Sequence, residues 1–87
     1  MLNLRSKLKG CQPYFIEKDL LPTLYFKEDE NDTEYWIFKY CFITRLSDLA
    51  IGVRLGYSRQ QIYNKTQSII SANKTLIENF LQIMDNH

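Results

Sequence analysis

The chain has 87 residues, the size of a single domain, and 45% of them are hydrophobic while 24% are charged. That apolar content is enough for a folded core and excludes an intrinsically disordered chain. The formal net charge of +1 excludes a polybasic protein whose affinity for nucleic acid would come almost entirely from counterion release.

The first part of the chain, residues 1–27, predicts short helices. Leucines recur among basic residues before Gly10, which stands where a helix often ends in a left-handed residue. A second short helix is expected to begin at Pro13 and to end or kink at Pro22, because proline is tolerated only in the first turn. Its apolar face would consist of Phe15, Ile16, Leu20 and Leu21.

Residues 27–32 are charged and lack apolar anchors, which predicts a solvent-exposed loop. Asn31 followed three residues later by Glu34 has the spacing of an N-cap with its reciprocating acid, so we expect a helix from about Asp32 to Thr44. The aromatic and β-branched residues of this segment also suit a strand, which is the alternative. We assign its aromatic run to the core, the other interpretation being a stacking surface for single-stranded nucleic acid.

The segment from Ser47 to Ile70 predicts two helices joined by a tight turn. Ser47 is an N-cap candidate for the first helix, and Gly52 is a small residue where the two helices are expected to cross. Gly56 follows the last apolar residue and suits a left-handed C-cap, while Ser58 suits the N-cap of the second helix. The residues expected to face inward are Leu49 or Ala50, Ile51, Leu55, Ile62, Thr66 and Ile69.

The outward positions of the second helix carry residue types that read duplex DNA. Glutamine and asparagine can bond adenine, arginine can bond guanine, and basic residues anchor phosphate. No acidic residue occurs between Arg59 and Gln67, and from Lys39 to Lys74 six basic residues stand against one acidic residue. We expect base contacts from Gln60, Gln61 and Asn64 and phosphate contacts from Arg54, Arg59 and Lys65. The full predicted DNA-binding set is Arg54, Ser58, Arg59, Gln60, Gln61, Tyr63, Asn64 and Lys65.

The run from Leu55 to Tyr63 resembles the turn and recognition helix of the sigma-70 region 4-like superfamily, which includes small phage-encoded regulators of the ArpU and RinA type. The pair Ile51–Gly52 matches the position where that pattern has Ile followed by Ala or Gly. The match covers about Ser47 to Thr66, under a third of the chain. Lys65 stands where those families commonly have an apolar residue, and Asp48 where they have leucine or tryptophan. The resemblance implies a helix-turn-helix unit that binds DNA in transcription regulation, encoded by a phage or mobile element.

Residues 57–87 contain no glycine and no proline, which permits a long continuous helix. A seven-residue repeat places Ile62, Ile69, Leu76 and Ile83 on one stripe, with Thr66, Asn73 and Phe80 beside it. As the d and a positions of a coiled coil, these residues predict a homodimer through the C-terminal helix, its register set by the core asparagine. The alternative is that the stripe packs on Trp36, Tyr40 and Leu20 of the same chain.

Residues for catalysis or metal binding are scarce. His87 is the only histidine, no phosphate-binding glycine loop or Cys-x-x-Cys occurs, and the acidic run at residues 29–34 lacks the glycine of a calcium loop. We therefore expect no enzymatic activity, no metal and no cofactor. Cys11 and Cys41 without an export signal predict a reduced, cytoplasmic protein. No apolar run approaches the ~20 residues of a membrane span, so no membrane association is expected.

These features predict an all-α fold: a small helical domain that contains a helix-turn-helix followed by a long C-terminal helix. Residues 1–87 would form one domain, with short helices at 1–27, the helix-turn-helix core at 32–70 and the C-terminal helix at 71–85. The predicted function is sequence-specific binding of double-stranded DNA as a transcriptional regulator. The alternative is a protein of the same fold that binds and modulates a host protein through the acidic stretch Glu28–Glu34 and the aromatic helix.

Overall fold

The computed structural model of the chain describes residues 3–85, which form helices and loops without a strand. The α-helices are α1 (Leu4–Lys9), α2 (Pro13–Phe15), α3 (Thr33–Phe42), α4 (Asp48–Leu55), α5 (Arg59–Ala72) and α6 (Lys74–Asp85). The all-α prediction is confirmed, and the aromatic segment is a helix rather than a strand. None of the helices within residues 3–85 has the length and apolar character needed to span a bilayer.

The first two helices differ in detail from the prediction. Gly10 has φ −81°, so it is not left-handed; its N–H bonds back to the carbonyl groups of Ser6 and Lys7 and simply continues the turn of α1. The helix that begins at Pro13 widens into a π-helical turn at Ile16–Leu20 and tightens into a 3-10 turn at Leu21–Thr23. Because of these turns only part of the predicted apolar face is internal. Ile16 and Leu20 are buried, whereas Phe15 is 37% exposed.

The start of α3 is capped by a different residue from the one predicted. The Asp29 carboxylate accepts hydrogen bonds from the backbone N–H of Asn31 (2.9 Å) and of Thr33 (3.0 Å). Asp32 has a left-handed φ of 51° and makes no side-chain cap bond. The chain reversal at Asp32 explains why Asp29, and not Asn31, meets the first turn. Glu34 accepts from the N–H of Lys27 at 2.8 Å, so it holds the loop rather than completing a capping box.

A single core joins α1, α3, α4, α5 and α6, with α5 in contact with the other four. The fully buried apolar side chains are Leu8, Ile16, Leu20, Ile37, Phe38, Cys41, Phe42, Ile51, Ile62, Ile69 and Ile77. The short N-terminal helices therefore complete the core of the helix-turn-helix segment.

The continuous helix that residues 57–87 permit is interrupted at Asn73, so α6 begins at Lys74, close to the expected start of the C-terminal helix at residue 71. The Asn73 side chain is 2% exposed; its Nδ2 donates to the Tyr25 carbonyl oxygen (2.8 Å) and its Oδ1 accepts from the Tyr25 N–H (2.7 Å). The break positions this amide against the backbone of the 24–32 loop. A polar pairing across 48 residues thus outweighs the local helix preference.

The buried positions of the stripe exclude a coiled coil with Asn73 at its centre. Ile62, Thr66, Ile69 and Asn73 are all buried within the one chain, in a core that also includes Leu20 and Tyr40. That part of the stripe packs intramolecularly, as the alternative predicted, although Trp36 is not part of the core. Leu76 and Ile83 are 40% and 57% exposed.

Candidate nucleic-acid interface

The turn between α4 and α5 has the geometry that the sequence predicts. The Ser47 hydroxyl accepts the N–H of Ala50 at 3.1 Å and so caps α4. The helix ends at Gly56, which has φ +83°. The Gly52 carbonyl oxygen accepts the N–H groups of both Gly56 (2.8 Å) and Tyr57 (2.9 Å), which closes the turn.

Gly52 is required by the turn rather than by a crossing of the two helices. A β-carbon at this position would overlap the carbonyl oxygen of Tyr57 and lie 3.2 Å from its carbonyl carbon. The backbone of residue 57 leaves no room even for the methyl group of alanine. The close approach brings the first residues of α5 directly against the side of α4.

A reciprocal capping box begins α5. The Ser58 hydroxyl accepts the N–H of Gln61 at 3.1 Å, and the Gln61 side-chain oxygen accepts the N–H of Ser58 at 2.8 Å. Two members of the predicted DNA-binding set are thus already used to hold the helix start. The side-chain NH₂ of Gln61 and the hydroxyl hydrogen of Ser58 are left to donate to another group.

The outer face of α5 is polar and carries no acidic residue. Its exposed polar side chains are Arg59, Gln60, Gln61, Tyr63, Asn64, Ser68 and Ser71. Gln60 Nε2 donates to Asn64 Oδ1 at 3.0 Å, and Gln67 Nε2 donates to the Tyr63 hydroxyl at 3.2 Å, each pair one helical turn apart. We call this surface the α5 face. It brings the side-chain amides of Gln60 and Asn64 into contact.

Two of the predicted phosphate-binding residues rest on aromatic rings. The Lys65 ammonium lies 4.9 Å from the centre of the Tyr57 ring, and the Arg54 guanidinium lies 5.8 Å from the centre of the Tyr40 ring. Lys65 is half-buried there. Arg54 belongs to α4 and lies beside α3, whereas Arg59 stands at the exposed start of α5.

Arg5 is a residue of this site that sequence reasoning missed. Its Nη2 pairs with Asp48 Oδ1 at 2.7 Å, and its guanidinium lies 5.2 Å from the centre of the Tyr63 ring. The side chains of Arg5 and Asp48 are only 13% and 14% exposed. Arg5 therefore connects α1 to both helices of the helix-turn-helix, which explains the acid at position 48. The partners are 43 residues apart, and no local pattern could have indicated the pair.

The α5 face extends further along the helix than the predicted DNA-binding set. Gln67, Ser68 and Ser71 extend it by two turns beyond Asn64, and residues 49–77 contain no acidic residue at all. The absence of acidic residues from this run indicates the longer face from the sequence alone. The face is therefore nearly the full length of the 14-residue helix.

The two flanks of the α5 face differ in charge. On one side, a groove of about 690 Å³ separates α5 from the 24–32 loop, and its lining has three acidic residues, Glu28, Asp29 and Glu34, against Lys27 and Lys65. On the other side, a cleft of about 280 Å³ lies among α1, α5 and α6, and its lining includes Arg5 and Lys74. The cleft among α1, α5 and α6 is therefore the flank whose lining has no acidic residue.

The two thiols are not activated. Cys41 is fully buried, and burial raises the pKa of its thiol; burial also raises the pKa of Cys11. Within residues 3–85, no three His, Cys, Asp or Glu side chains are grouped as a metal site would need. His87, the histidine considered for catalysis, lies outside the described residues.

Comparisons with family models, with curated proteins and with solved structures find no match to this chain. The resemblance to sigma-70 region 4-like regulators therefore rests on residues 47–66. The turn, the capping box and the acid-free α5 face are the structural observations from which a function can be argued.

Proposed function

We propose that the chain is a sequence-specific DNA-binding transcriptional regulator that inserts the α5 face into the major groove, as its resemblance to sigma-70 region 4-like regulators implies. The observation that carries the proposal is the exposed amide-rich surface of α5, which has no acidic residue along the whole helix. An acid on such a surface would repel phosphate. A helix that has no acidic residue on its outer face and that follows a tight glycine turn suits the role of a recognition helix.

The proposed roles follow from the contacts. Gln60 and Asn64 form the base-reading pair, because their amides lie side by side and expose donors and acceptors that match adenine. Arg59, at the start of α5, contacts phosphate or guanine. Ser58 and Gln61 position the helix through the capping box. Arg54 and Lys65 reach phosphate only by leaving their aromatic rings, so we assign them a smaller share of the affinity.

A binding measurement with a matched control tests the proposal. Fluorescence anisotropy with a labelled random duplex at ~50 mM salt is expected to show saturable binding, and selection from a random pool is expected to enrich one short motif. Gln60→Glu places an acid on the α5 face and is expected to weaken binding more than tenfold. Gln82→Glu makes the same change at an exposed position of α6 and is expected to leave binding unchanged.

Two results would count against DNA binding by the α5 face. A parent chain that binds no duplex at low salt contradicts the proposal. Equal losses for Gln60→Glu and Gln82→Glu would show that the effect is one of overall charge and not of the α5 face.

A protein partner is the second candidate function, favoured by two exposed apolar residues on α4. Leu49 is 61% exposed and Val53 is 78% exposed, one helical turn apart on the same side. Leu49 does not face inward; Ala50 is the half-buried residue of that pair. If this patch binds a protein, Leu49→Asp with Val53→Asp abolishes capture of that partner while duplex binding by the α5 face remains.

For the proposed homodimer through α6, Leu76 and Ile83 are the exposed residues of the stripe.

A further inference from the structure

A cleft beside the C-terminal half of α5 combines donors from three helices. Its polar lining consists of Asn3 and Arg5 from the start of the chain, Gln67 and Ser71 from α5, and Lys74 from α6. None of these side chains is acidic. The cleft shares Gln67 and Ser71 with the α5 face, so the two surfaces are continuous.

The two cations of this cleft, Arg5 and Lys74, have donor groups that an anion could still accept from. Arg5 Nη2 donates a hydrogen bond to Asp48 Oδ1, but Arg5 Nη1 is buried and has no hydrogen-bond partner among residues 3–85. A buried guanidinium nitrogen without an acceptor is unfavourable, and Arg5 lines the cleft, so an anionic oxygen bound there is the candidate acceptor. The Lys74 side chain is 69% exposed, and its contact with Glu78 is a loose 3.9 Å. Lys74 can therefore turn toward an anion at little cost.

The position of the cleft relates it to a duplex. Ser71 lies seven residues after Asn64, which corresponds to about 10 Å along a helix. The major groove is about 12 Å wide. When Asn64 contacts a base near the middle of the groove, the end of α5 is thus close to one phosphate backbone.

We infer that the cleft formed by Asn3, Arg5, Gln67, Ser71 and Lys74 binds a backbone phosphate of the duplex that α5 reads, and so determines which way the module lies on DNA. This inference rests on the proposed function. The opposite flank is less favourable for a phosphate, because its groove has the acidic residues Glu28, Asp29 and Glu34 against Lys27 and Lys65, whereas the lining of the cleft has no acidic residue. The duplex therefore leans toward α1 and α6 and away from the 24–32 loop.

Two matched lysine substitutions test the inference. Lys74→Gln removes the exposed cation of the cleft, and Lys27→Gln removes an exposed cation on the opposite flank. We expect Lys74→Gln to weaken binding to all duplexes alike, by about fivefold, and to reduce the slope of log K against log salt by about 0.9, the value for one phosphate contact. Lys27→Gln is expected to change affinity by less than about twofold and to leave the salt slope unchanged. Circular dichroism confirms that both variants remain folded.

A second experiment distinguishes a site for the DNA backbone from a site for free inorganic phosphate. Amide NMR shifts of Ser71 and Lys74 are followed during titration with inorganic phosphate and then with duplex. Large shifts with duplex and weak, unsaturated shifts with phosphate up to ~10 mM support the inference. Saturation by inorganic phosphate below ~1 mM, with no further change on adding duplex, overturns it.

The remaining outcomes distinguish the inference from the function on which it rests. If the parent binds duplex but Lys74→Gln keeps the parental salt slope, or Lys27→Gln loses as much affinity, the cleft is not the phosphate site and the proposed function stands. If the parent binds no duplex, both are overturned.

Discussion

The backbone of Gly52 lies directly against the carbonyl group of Tyr57, so closely that a β-carbon at position 52 would overlap the Tyr57 oxygen. The same glycine accepts two backbone hydrogen bonds from residues 56 and 57. The angle at which α5 leaves α4 depends on this contact, and with it the presentation of the α5 face.

The contact predicts unequal effects at the two glycines. Gly52→Ala must displace backbone and is expected to cost about 2 kcal/mol or more, which lowers Tm by roughly 8–16 °C for a domain of this size. Gly56→Ala meets open space and has only its φ of +83° to accommodate, at about 1 kcal/mol. Thermal unfolding of both variants checks the order. A milder effect at position 52 than at position 56 would contradict the geometry of the turn.

The Arg5–Asp48 pair predicts measurable coupling between α1 and the helix-turn-helix. Arg5→Ala and Asp48→Ala are each expected to cost about 1–2 kcal/mol, because each leaves a largely buried charge without its partner. The double variant is expected to cost about 1 kcal/mol less than the sum. The exposed pair Lys74–Glu78 serves as control, with an expected coupling of about 0–0.5 kcal/mol. Additive effects of Arg5 and Asp48 would remove the proposed link.

Gln61 allows helix capping and DNA contact to be separated. Gln61→Glu keeps an oxygen for the Ser58 N–H, so stability is expected to be unchanged within about 0.5 kcal/mol, while the added acid weakens duplex binding. Gln61→Ala loses the cap bond and is expected to cost about 0.5–1 kcal/mol. Urea unfolding and anisotropy on the same samples give both quantities. Strong duplex binding by Gln61→Glu would argue against DNA contact at this end of α5.

Asp29 predicts a pH dependence at the start of α3. Hydrogen bonds from the backbone of Thr33, then from Asn31, hold the pKa of the Asp29 carboxyl below its ordinary value of about 3.9. A lowered folded-state pKa means that the stabilisation is complete above the ordinary value and is lost as the pH falls through the lowered one. Asp29→Asn is therefore expected to flatten the loss of stability below about pH 4. Urea unfolding at several pH values checks this, with Asp19→Asn as the exposed control. If Asp29→Asn loses stability below about pH 4 as steeply as the parent chain does, the role of Asp29 as the cap is contradicted.

Adjacent residues of α6 predict opposite outcomes. Ile77 is fully buried, so Ile77→Asp is expected to unfold the chain at a cost above about 4 kcal/mol. Leu76 is 40% exposed, and Leu76→Asp is expected to leave the fold intact. Sedimentation of the parent and of Leu76→Asp at tens of micromolar then tests the homodimer directly. A dimeric parent with a monomeric, folded Leu76→Asp would support assembly through α6, and unfolding of Leu76→Asp would contradict the observed exposure.

The local sequence determined the elements that depend on neighbouring residues. Ser47, Gly56 and Ser58 act within three or four positions of themselves, as caps and as a left-handed turn residue, so their roles could be predicted from spacing alone. The all-α class followed from helical periodicity for the same reason. The acid-free character of the α5 face was also readable, since outward positions of one helix recur at known intervals.

Tertiary structure decided what depends on pairs distant along the chain. Arg5 meets Asp48 across 43 residues, and Asn73 meets Tyr25 across 48; these contacts fix the position of α1 and break the predicted long helix. The predicted coiled-coil stripe is buried within the chain from Ile62 to Asn73 and exposed at Leu76 and Ile83, because a helical stripe shows only that a face is apolar, not what covers it. A polar side chain selects its partner by three-dimensional proximity, and in a chain this short the helices share one core, which covers Ile62, Ile69 and Ile77 but leaves Leu76 and Ile83 exposed.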